Sequence, residues 1–421
     1  MIDPHIERRA AMAAHLADRG VLTDPAWRQV VEKVPRHVFL PDTVWGLDVD
    51  AGDGKLAPVP RSHTNWSRWA YDDVSVITQV DDGTPVLPDG RGERATSSAS
   101  QPSLVVAMLQ ALDVTVGMDV LEIGTATGYN CALLCEHLGP EHVTSIEIDQ
   151  SLARQARANL AAAGYGPQLV VGDGTQGAPG RAPFDRVLAT VAARDIPGAW
   201  ISQTRPGGVI VTPWATGFAT TNLLRLIVEE GDVAHGRVVG DAPFMWLRDQ
   251  RVPAGDWRDF IDEQAAGSVE YRTTINPMPV CDADPSGGLA LTVGALVPHL
   301  NTVRYHAADD SGEATIYLFD RRGSWALVEY VPGDEDGFEA HRFGPRDLCA
   351  EIDRAHRLWE AAGAPERSCL GVTVTTTGAR RLWVDSPSNP VLKASGGART
   401  GGARLHGVRE VDRRAPSSAS D

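Results

Sequence analysis

The sequence predicts an α/β protein in which a parallel sheet carries helices on both faces and a smaller α+β unit follows it. Three observations lead there. Between residues 119 and 213 short apolar runs alternate with helical segments, the pattern of successive strand-helix-strand units. The first of those runs breaks into Gly124-Thr-Ala-Thr-Gly128 before its helix begins. Beyond residue 247 the alternation stops, and runs of strand character surround a single amphipathic helix.

In chain order, Thr23, Asp24 and Pro25 supply a cap and a first-turn proline. Trp27, Val30, Val31 and Val34 then recur on one helix face until Pro35 ends it. Residues 1–60 are assigned to a helical segment packed on the core. From 51 to 92 Gly, Pro, Asp and Trp predominate around a strand-like run at 74–80, and most of this stretch reads as loop. A helix is expected over 101–112. Core strands are expected at 119–123, 142–147, 168–171, 185–190 and 208–212, within a main domain spanning 61–246. An accessory α+β domain, 247–390, should hold strands at 315–319, 325–331 and 371–376. Its helix, 345–362, carries Leu348, Ile352, Ala355 and Trp359 on one stripe and so packs on a sheet. Residues 391–421 are rich in Gly, Ala, Ser and Arg with few large apolar side chains, which predicts a disordered tail, either solvated or a docking arm.

A chain of 421 residues exceeds what one core serves, in keeping with two or three folded units. Its 39 Lys and Arg against 55 Asp and Glu give a net charge of −16, which opposes a general grip on nucleic acid or an anionic membrane. No run approaches the roughly 20 apolar residues that span a bilayer, and the polar start does not resemble a signal peptide, so a cytoplasmic location is expected. Five cysteines in no CxxC pair predict neither a disulfide framework nor a zinc site. Cys131 and Cys135 are read as core packing on an apolar helix face. No metal is expected.

The strongest chemical signal is Val120-Leu-Glu-Ile-Gly-Thr-Ala-Thr-Gly-Tyr129. A strand ending in such a turn lets the backbone approach a ligand closely, and the helix behind it offers unpaired N–H groups. An acidic residue closing the second strand suits ribose hydroxyls, as dinucleotide folds arrange it, and Glu147 occupies that place. At the third strand end, Gly172-Asp173-Gly174 offers a carboxylate to an adenine amino group. The dinucleotide fingerprint uses its glycines to admit a pyrophosphate. Here Glu122 stands just before the turn, where a carboxylate repels phosphate and suits a cationic sulfonium. S-adenosyl-L-methionine is therefore the expected cofactor, in a Rossmann-like methyltransferase core. The competing explanation is that Gly124 and Gly128 merely ease packing of strand on helix.

These residues, with Val34-Pro-Arg-His-Val-Phe-Leu-Pro41, Ala70-Tyr-Asp-Asp73, Ser98-Ala-Ser-Gln-Pro102, Val171-Gly-Asp-Gly174, Ala182-Pro-Phe-Asp-Arg-Val187, Val191-Ala-Ala193 and Arg205-Pro-Gly-Gly208, resemble the protein-L-isoaspartate O-methyltransferases. They follow the family's order over about half the chain, from residue 24 to 213. The resemblance implies a donor site formed by Gln101, Glu122, Gly124, Thr125, Gly128, Tyr129, Glu147, Asp173 and Gly174. It also implies that Ser100, with Ser98 beside it, faces the carboxylate to be methylated, and that Asp73, Val191 and Ala192 line the substrate side. Capping of the helix near Gln101 is the competing role for either serine, and solvation or capping for Asp73.

Ala126 replaces the middle glycine of the family's turn, a change the backbone accommodates if its φ is negative. The segment 82–94 is longer than the family's link, which reshapes the substrate mouth. Repair enzymes of the family are often about half this long, and the region beyond Leu247 is expected to have no counterpart in them. The longer architecture resembles a branch associated with ribosomally synthesised modified peptides, graspetides and lanthipeptides among them. Those enzymes methylate an ordinary Asp side chain, and the ester closes to an aspartimide. That match rests on Trp69-Ala-Tyr-Asp-Asp-Val-Ser-Val-Ile-Thr78, Thr96-Ser-Ser-Ala-Ser100, Gln203-Thr-Arg-Pro-Gly-Gly208 and the added domain, whose expected role is peptide recognition or stabilisation.

A carboxylate is already ionised at neutral pH, so attack on a sulfonium methyl needs alignment and exclusion of water more than a base. His37 and His63 are accordingly read as structural. The first functional reading is a carboxyl O-methyltransferase for Asp in a maturing peptide. Its alternative is repair methylation of L-isoaspartyl residues in damaged proteins. A third is a binding module whose cofactor site is only regulatory. For the two enzymes the partner is a peptide or protein bearing Asp or isoaspartate; the oligomeric state is left open.

Overall fold

The computed structural model describes residues 5–49, 51–85, 87, 89–219, 221–251, 257–334 and 336–391. The expected tail lies, from 392 onward, outside the described residues. The chain opens with α1 (Ile6–Asp18) and α2 (Pro25–Lys33). Asp24 caps α2 by accepting the Ala26 N–H at 2.8 Å, and Trp27, Val30 and Val31 are buried, as their spacing predicts.

The stretch 51–92 is mostly loop around the expected strand at 76–80, but it also gives a strand at 56–60, and with flanking strands at 43–47 and 95–99 these form an antiparallel sheet, which corrects the purely helical reading of residues 1–60. Its strands are β1 (Thr43–Leu47), β2 (Leu56–Pro60), β3 (Val76–Val80) and β4 (Ala95–Ala99), in the order β2-β1-β3-β4. Strands β2 and β4 lack an apolar alternation because they carry Pro58 and Pro60, or the hydroxyls of Thr96, Ser97 and Ser98. Proline is tolerated in β2 because that strand is an edge, where no ladder donor is missed. A short helix, α3 (Trp66–Trp69), lies between β2 and β3, and α4 (Pro102–Leu112) follows β4.

The expected βα alternation then appears: β5 (Val120–Ile123), α5 (Tyr129–Leu138), β6 (Val143–Glu147), α6 (Gln150–Ala162), β7 (Gln168–Val171), β8 (Phe184–Ala189), α7 (Gly198–Ser202) and β9 (Thr204–Trp214). Strands β5 and β6 are buried on both faces, as central parallel strands are, so that even their polar residues Glu122, Thr144, Ser145 and Glu147 are buried. Two antiparallel strands, β10 (Asn222–Glu229) and β11 (Val233–Asp241), extend the sheet beyond β9. Cys131 and Cys135 lie within the core beneath α5.

A second sheet, order β12-β16-β15-β14-β13, consists of β12 (Val269–Thr273), β13 (Asn301–His306), β14 (Ala314–Phe319), β15 (Trp325–Tyr330) and β16 (Phe338–Phe343). Among its helices, α8 (Met278–Cys281), α9 (Gly288–Leu296) and α10 (Leu348–Ala361), the last packs Leu348, Ile352 and Ala355 against Ile316, Leu318 and Val328. The chain then returns to the large sheet built on the parallel strands through β17 (Leu370–Thr375) and β18 (Arg380–Val384), with β17 pairing β11. The large sheet therefore has nine strands, ordered β18-β17-β11-β10-β9-β8-β5-β6-β7. Residues 247–390 are thus not one separate unit: their last two strands belong to the catalytic sheet. No helix among the described residues is long and apolar enough to cross a membrane.

Candidate active site

The β5–α5 turn is the most constrained part of the site. Gly124 has φ +93° and Gly128 φ +90°. A Cβ on Gly124 would come within 3.0 Å of Thr190 and Val191, so glycine is required there by both conformation and space. Ala126 has φ +47°, contrary to the negative value that would suit alanine. A left-handed alanine costs about 1–2 kcal/mol. It is held by its own N–H, which donates to Glu147 Oε2 at 2.8 Å.

Glu122 does not face a ligand. Its side chain is fully buried beneath the turn, accepting from Ser145 Oγ at 2.5 Å and Asn130 Nδ2 at 2.6 Å. Ser145 Oγ also lies 2.6 Å from Thr125 Oγ1, so the carboxylate braces the turn from below. Burial, opposed by those hydrogen bonds, pushes its pKa from 4.5 up to about 7.

A cleft lies over the carboxyl ends of β5, β6 and β7. Glu147 and Asp173 face it beside Ile123, Gly124, Ile146, Ile148, Leu152 and Gly174. Glu147 is 7% exposed and also accepts the Asp149 N–H at 3.0 Å; burial raises its pKa. Asp173 accepts from the Thr175 N–H and hydroxyl at 2.9 and 2.6 Å. Each carboxylate retains acceptor capacity, and the aliphatic side chains between them suit a flat ring. This floor fits an adenosyl group.

The opposite wall is β4 and the residues after it: Thr96, Ser97, Ser98 and Ser100 line the cleft. A smaller recess, lined by Ser98, Ser100, Thr125, Ala126, Tyr129 and Asn130, continues beneath it. Val191 lines the cleft as well, but Ala192 is wholly buried. Ala192 instead pairs with a strap that sequence reasoning missed, donating to Met245 O at 2.7 Å and accepting the Leu247 N–H at 2.9 Å.

The strap supplies Phe244, Met245, Trp246, Leu247, Arg248 and Arg251 to the lining. Gln250 fastens one side, accepting from the Arg194 and Asp195 N–H groups at 2.7 and 3.0 Å. On the other side Arg251 reaches both oxygens of Asp82 at 2.7 and 2.9 Å. Arg248 lies 3.2 Å from Asp82 and 3.3 Å from Asp149. Asp82 opens the 82–94 segment, so that segment is tied to the strap at the cleft edge. The one sequence signal for the strap was the compact apolar run Phe244-Met-Trp-Leu247, divided by a boundary placed at 247.

Three further expected residues stand behind the lining. Asp73 accepts the Ser103 N–H at 2.8 Å and pairs with Arg19 at 2.7 Å, capping α4 from outside; hydrogen bonds to Ser103 and Gln101 outweigh its burial and lower its pKa. Gln101 turns its amide to Asp73 and Ser103, at 3.2 and 3.0 Å. Gly128 packs against Leu160 at the start of α5.

With the geometry in hand, similarity to known proteins can be set beside it. The model of the protein-L-isoaspartate(D-aspartate) O-methyltransferase family matches residues 59–244. The chain is 37% identical over 223 residues to a protein-L-isoaspartate O-methyltransferase of Xanthobacter autotrophicus, covering 53% of this chain and 84% of that one. It is 34% identical over 217 residues to the Hyperthermus butylicus protein of the same description, covering 49% and 75%. A solved structure described as a protein-L-isoaspartate O-methyltransferase shares the fold over 90% of this chain and 100% of its own, at 19% identity and a TM-score of 0.52. Such coverage extends well past residue 247, which corrects the expectation that this region has no counterpart in proteins so described. The chain belongs to the protein-L-isoaspartate O-methyltransferase family of S-adenosylmethionine-dependent protein carboxyl O-methyltransferases, built on a Rossmann-like α/β sheet.

Proposed function

We propose that the protein methylates the free carboxylate of L-isoaspartyl residues in polypeptides, with S-adenosyl-L-methionine as donor. The observation that carries this reading is the juxtaposition, in one cleft, of a carboxylate-bearing nucleoside floor at Glu147 and Asp173 with a hydroxyl wall at Ser98 and Ser100. When bound, the donor supplies an electrophilic methyl group: a carboxylate oxygen forms the new O–CH₃ bond as the CH₃–S bond breaks and its electron pair stays on sulfur. Glu147 accepts from the ribose hydroxyls and Asp173 from the adenine amino group. Ser98 and Ser100 donate to the acceptor carboxylate and hold it in line, while Trp246 and Leu247 exclude water. Because the nucleophile is ionised beforehand, alignment supplies most of the acceleration.

A second reading, methylation of an ordinary Asp in a maturing peptide with closure to an aspartimide, has one specific observation in its favour. The long 82–94 segment reaches the cleft edge through Asp82 and its two arginines, where it would meet residues flanking the acceptor. The added region no longer separates the two readings, since a solved relative in fold extends over it. Labelled donor should be offered with matched peptides that carry isoaspartate or Asp at one position. Repair methylation predicts at least a hundredfold higher kcat/KM for isoaspartate. The reverse preference selects the second reading, and label in neither peptide overturns both.

A further inference from the structure

The motif Val34-Pro-Arg-His-Val-Phe-Leu-Pro41 takes no part in the cleft, yet its arginine is among the largest fully buried side chains of the molecule. We propose that Arg36 is a positioning residue for methyl transfer, because its buried guanidinium ties the 69–74 loop to the Ala99 and Ser100 carbonyls and so fixes the serine wall of the cleft. The inference rests on the carboxyl-methylation reading.

Arg36 is 0% exposed. A guanidinium stays charged in proteins, and an uncompensated buried charge costs several kcal/mol. Backbone carbonyls provide the compensation. Nη1 donates to Trp69 O and Ala70 O, both at 3.1 Å. Nη2 donates to Val74 O at 2.9 Å, Ala99 O at 3.1 Å and Ser100 O at 3.0 Å. Hydrogen bonds from an ionised donor are roughly twice as strong as neutral ones, and here one planar fork spans two segments remote in sequence.

What the fork holds is the acceptor side. The Ala99 and Ser100 carbonyls lie within the run Ser98-Ala-Ser100, and both serines line the cleft. The bound loop contains Asp73, which grips the first turn of α4 through the Ser103 N–H and the Gln101 amide. Three of the motifs that carry the family resemblance are thereby joined into one block. The donor side is held by other bonds, from Glu147 to the turn and from Ser145 to Glu122. Arg36 meets that side at the Tyr129 ring, its Cζ 5.9 Å from the centroid. Lysine keeps the charge but presents it at a single point and cannot span both segments. Misplacement of an acceptor by about 1 Å costs on the order of a hundredfold in rate.

The test uses the full chain, with R36K and R36Q purified as folded protein. Turnover is measured with an isoaspartyl peptide and donor affinity by calorimetry with S-adenosyl-L-methionine. In folded R36K, kcat/KM for the peptide should fall by about 30- to 100-fold, mostly in kcat, while donor affinity stays within about twofold. A guanidinium that only fills the core would leave acceptor kinetics of the folded variant unchanged, and that result overturns the proposal. So does a loss of donor affinity equal to the loss in kcat/KM, or failure of both variants to fold, which would assign Arg36 to the fold alone. A wild-type protein that methylates no carboxylate removes the functional reading itself, and this is seen before any variant is made.

Discussion

Replacing Glu122 by glutamine should abolish most of a pH dependence that the folded protein owes to this one carboxyl. In the unfolded chain the group ionises near 4.5; in the folded protein burial raises that value to about 7 despite hydrogen bonds from Ser145 and Asn130. Between those two values the folded state holds a proton that the unfolded state has released. Stability must therefore decline as pH rises through that window and level off above it. At about 1.4 kcal/mol per pH unit, the interval from 4.5 to about 7 corresponds to about 3 kcal/mol. Glutamine does not titrate, so the stability of E122Q relative to wild type should rise by about that amount between pH 4.5 and 8. Urea unfolding of the donor-free proteins, followed by tryptophan fluorescence at several pH values, measures the difference, in which other titrating groups cancel. A difference constant to within about 1 kcal/mol across that range would refute the reasoning.

Because Ala126 adopts φ +47°, A126G should stabilise the protein by about 0.5–1 kcal/mol, the relief of left-handed strain less the added entropy of glycine; a lower melting temperature than wild type would contradict this. Glu147 faces the cleft and Glu122 does not. E147Q should therefore weaken donor binding about tenfold, roughly the loss of a charged hydrogen bond, and by much more than E122Q does at pH 6, as calorimetry can check. Asp82 ties Arg248 and Arg251 of the strap. Its network is partly exposed and contributes about 1 kcal/mol, so D82A should speed donor dissociation about fivefold in stopped-flow measurements. An unchanged rate would mean that the strap does not gate the cleft.

The parallel core was legible because short, largely apolar runs alternate with helical segments, and each expected strand from 119 to 212 formed. Of the small sheet only the run that forms β3 was legible, since Pro58 and Pro60 sit on its edge strand and Thr96, Ser97 and Ser98 replace apolar residues in β4. Return of β17 to the main sheet depends on pairing residues 233–237 with 371–375, a contact across more than a hundred residues that no local pattern encodes. In the site, the strand-end rule found Glu147 and Asp173 because position along a parallel sheet dictates what faces the cleft. Glu122, two residues before Gly124, instead points into the layer beneath, where Ser145 and Asn130 donate to it. Arg36 and the 244–251 strap escaped for a common reason: their partners lie in distant segments, Ala99 O for Arg36 and Ala192 and Asp82 for the strap, and local sequence does not encode such pairings.

Calorimetric titration of the intact protein with S-adenosyl-L-methionine, run beside an identical titration with a nicotinamide dinucleotide, examines the cleft most directly. Saturable one-to-one binding of the sulfonium compound, weakened in E147Q, with no heat from the dinucleotide, is the expected result. Saturation by the dinucleotide and none by the sulfonium compound would contradict it.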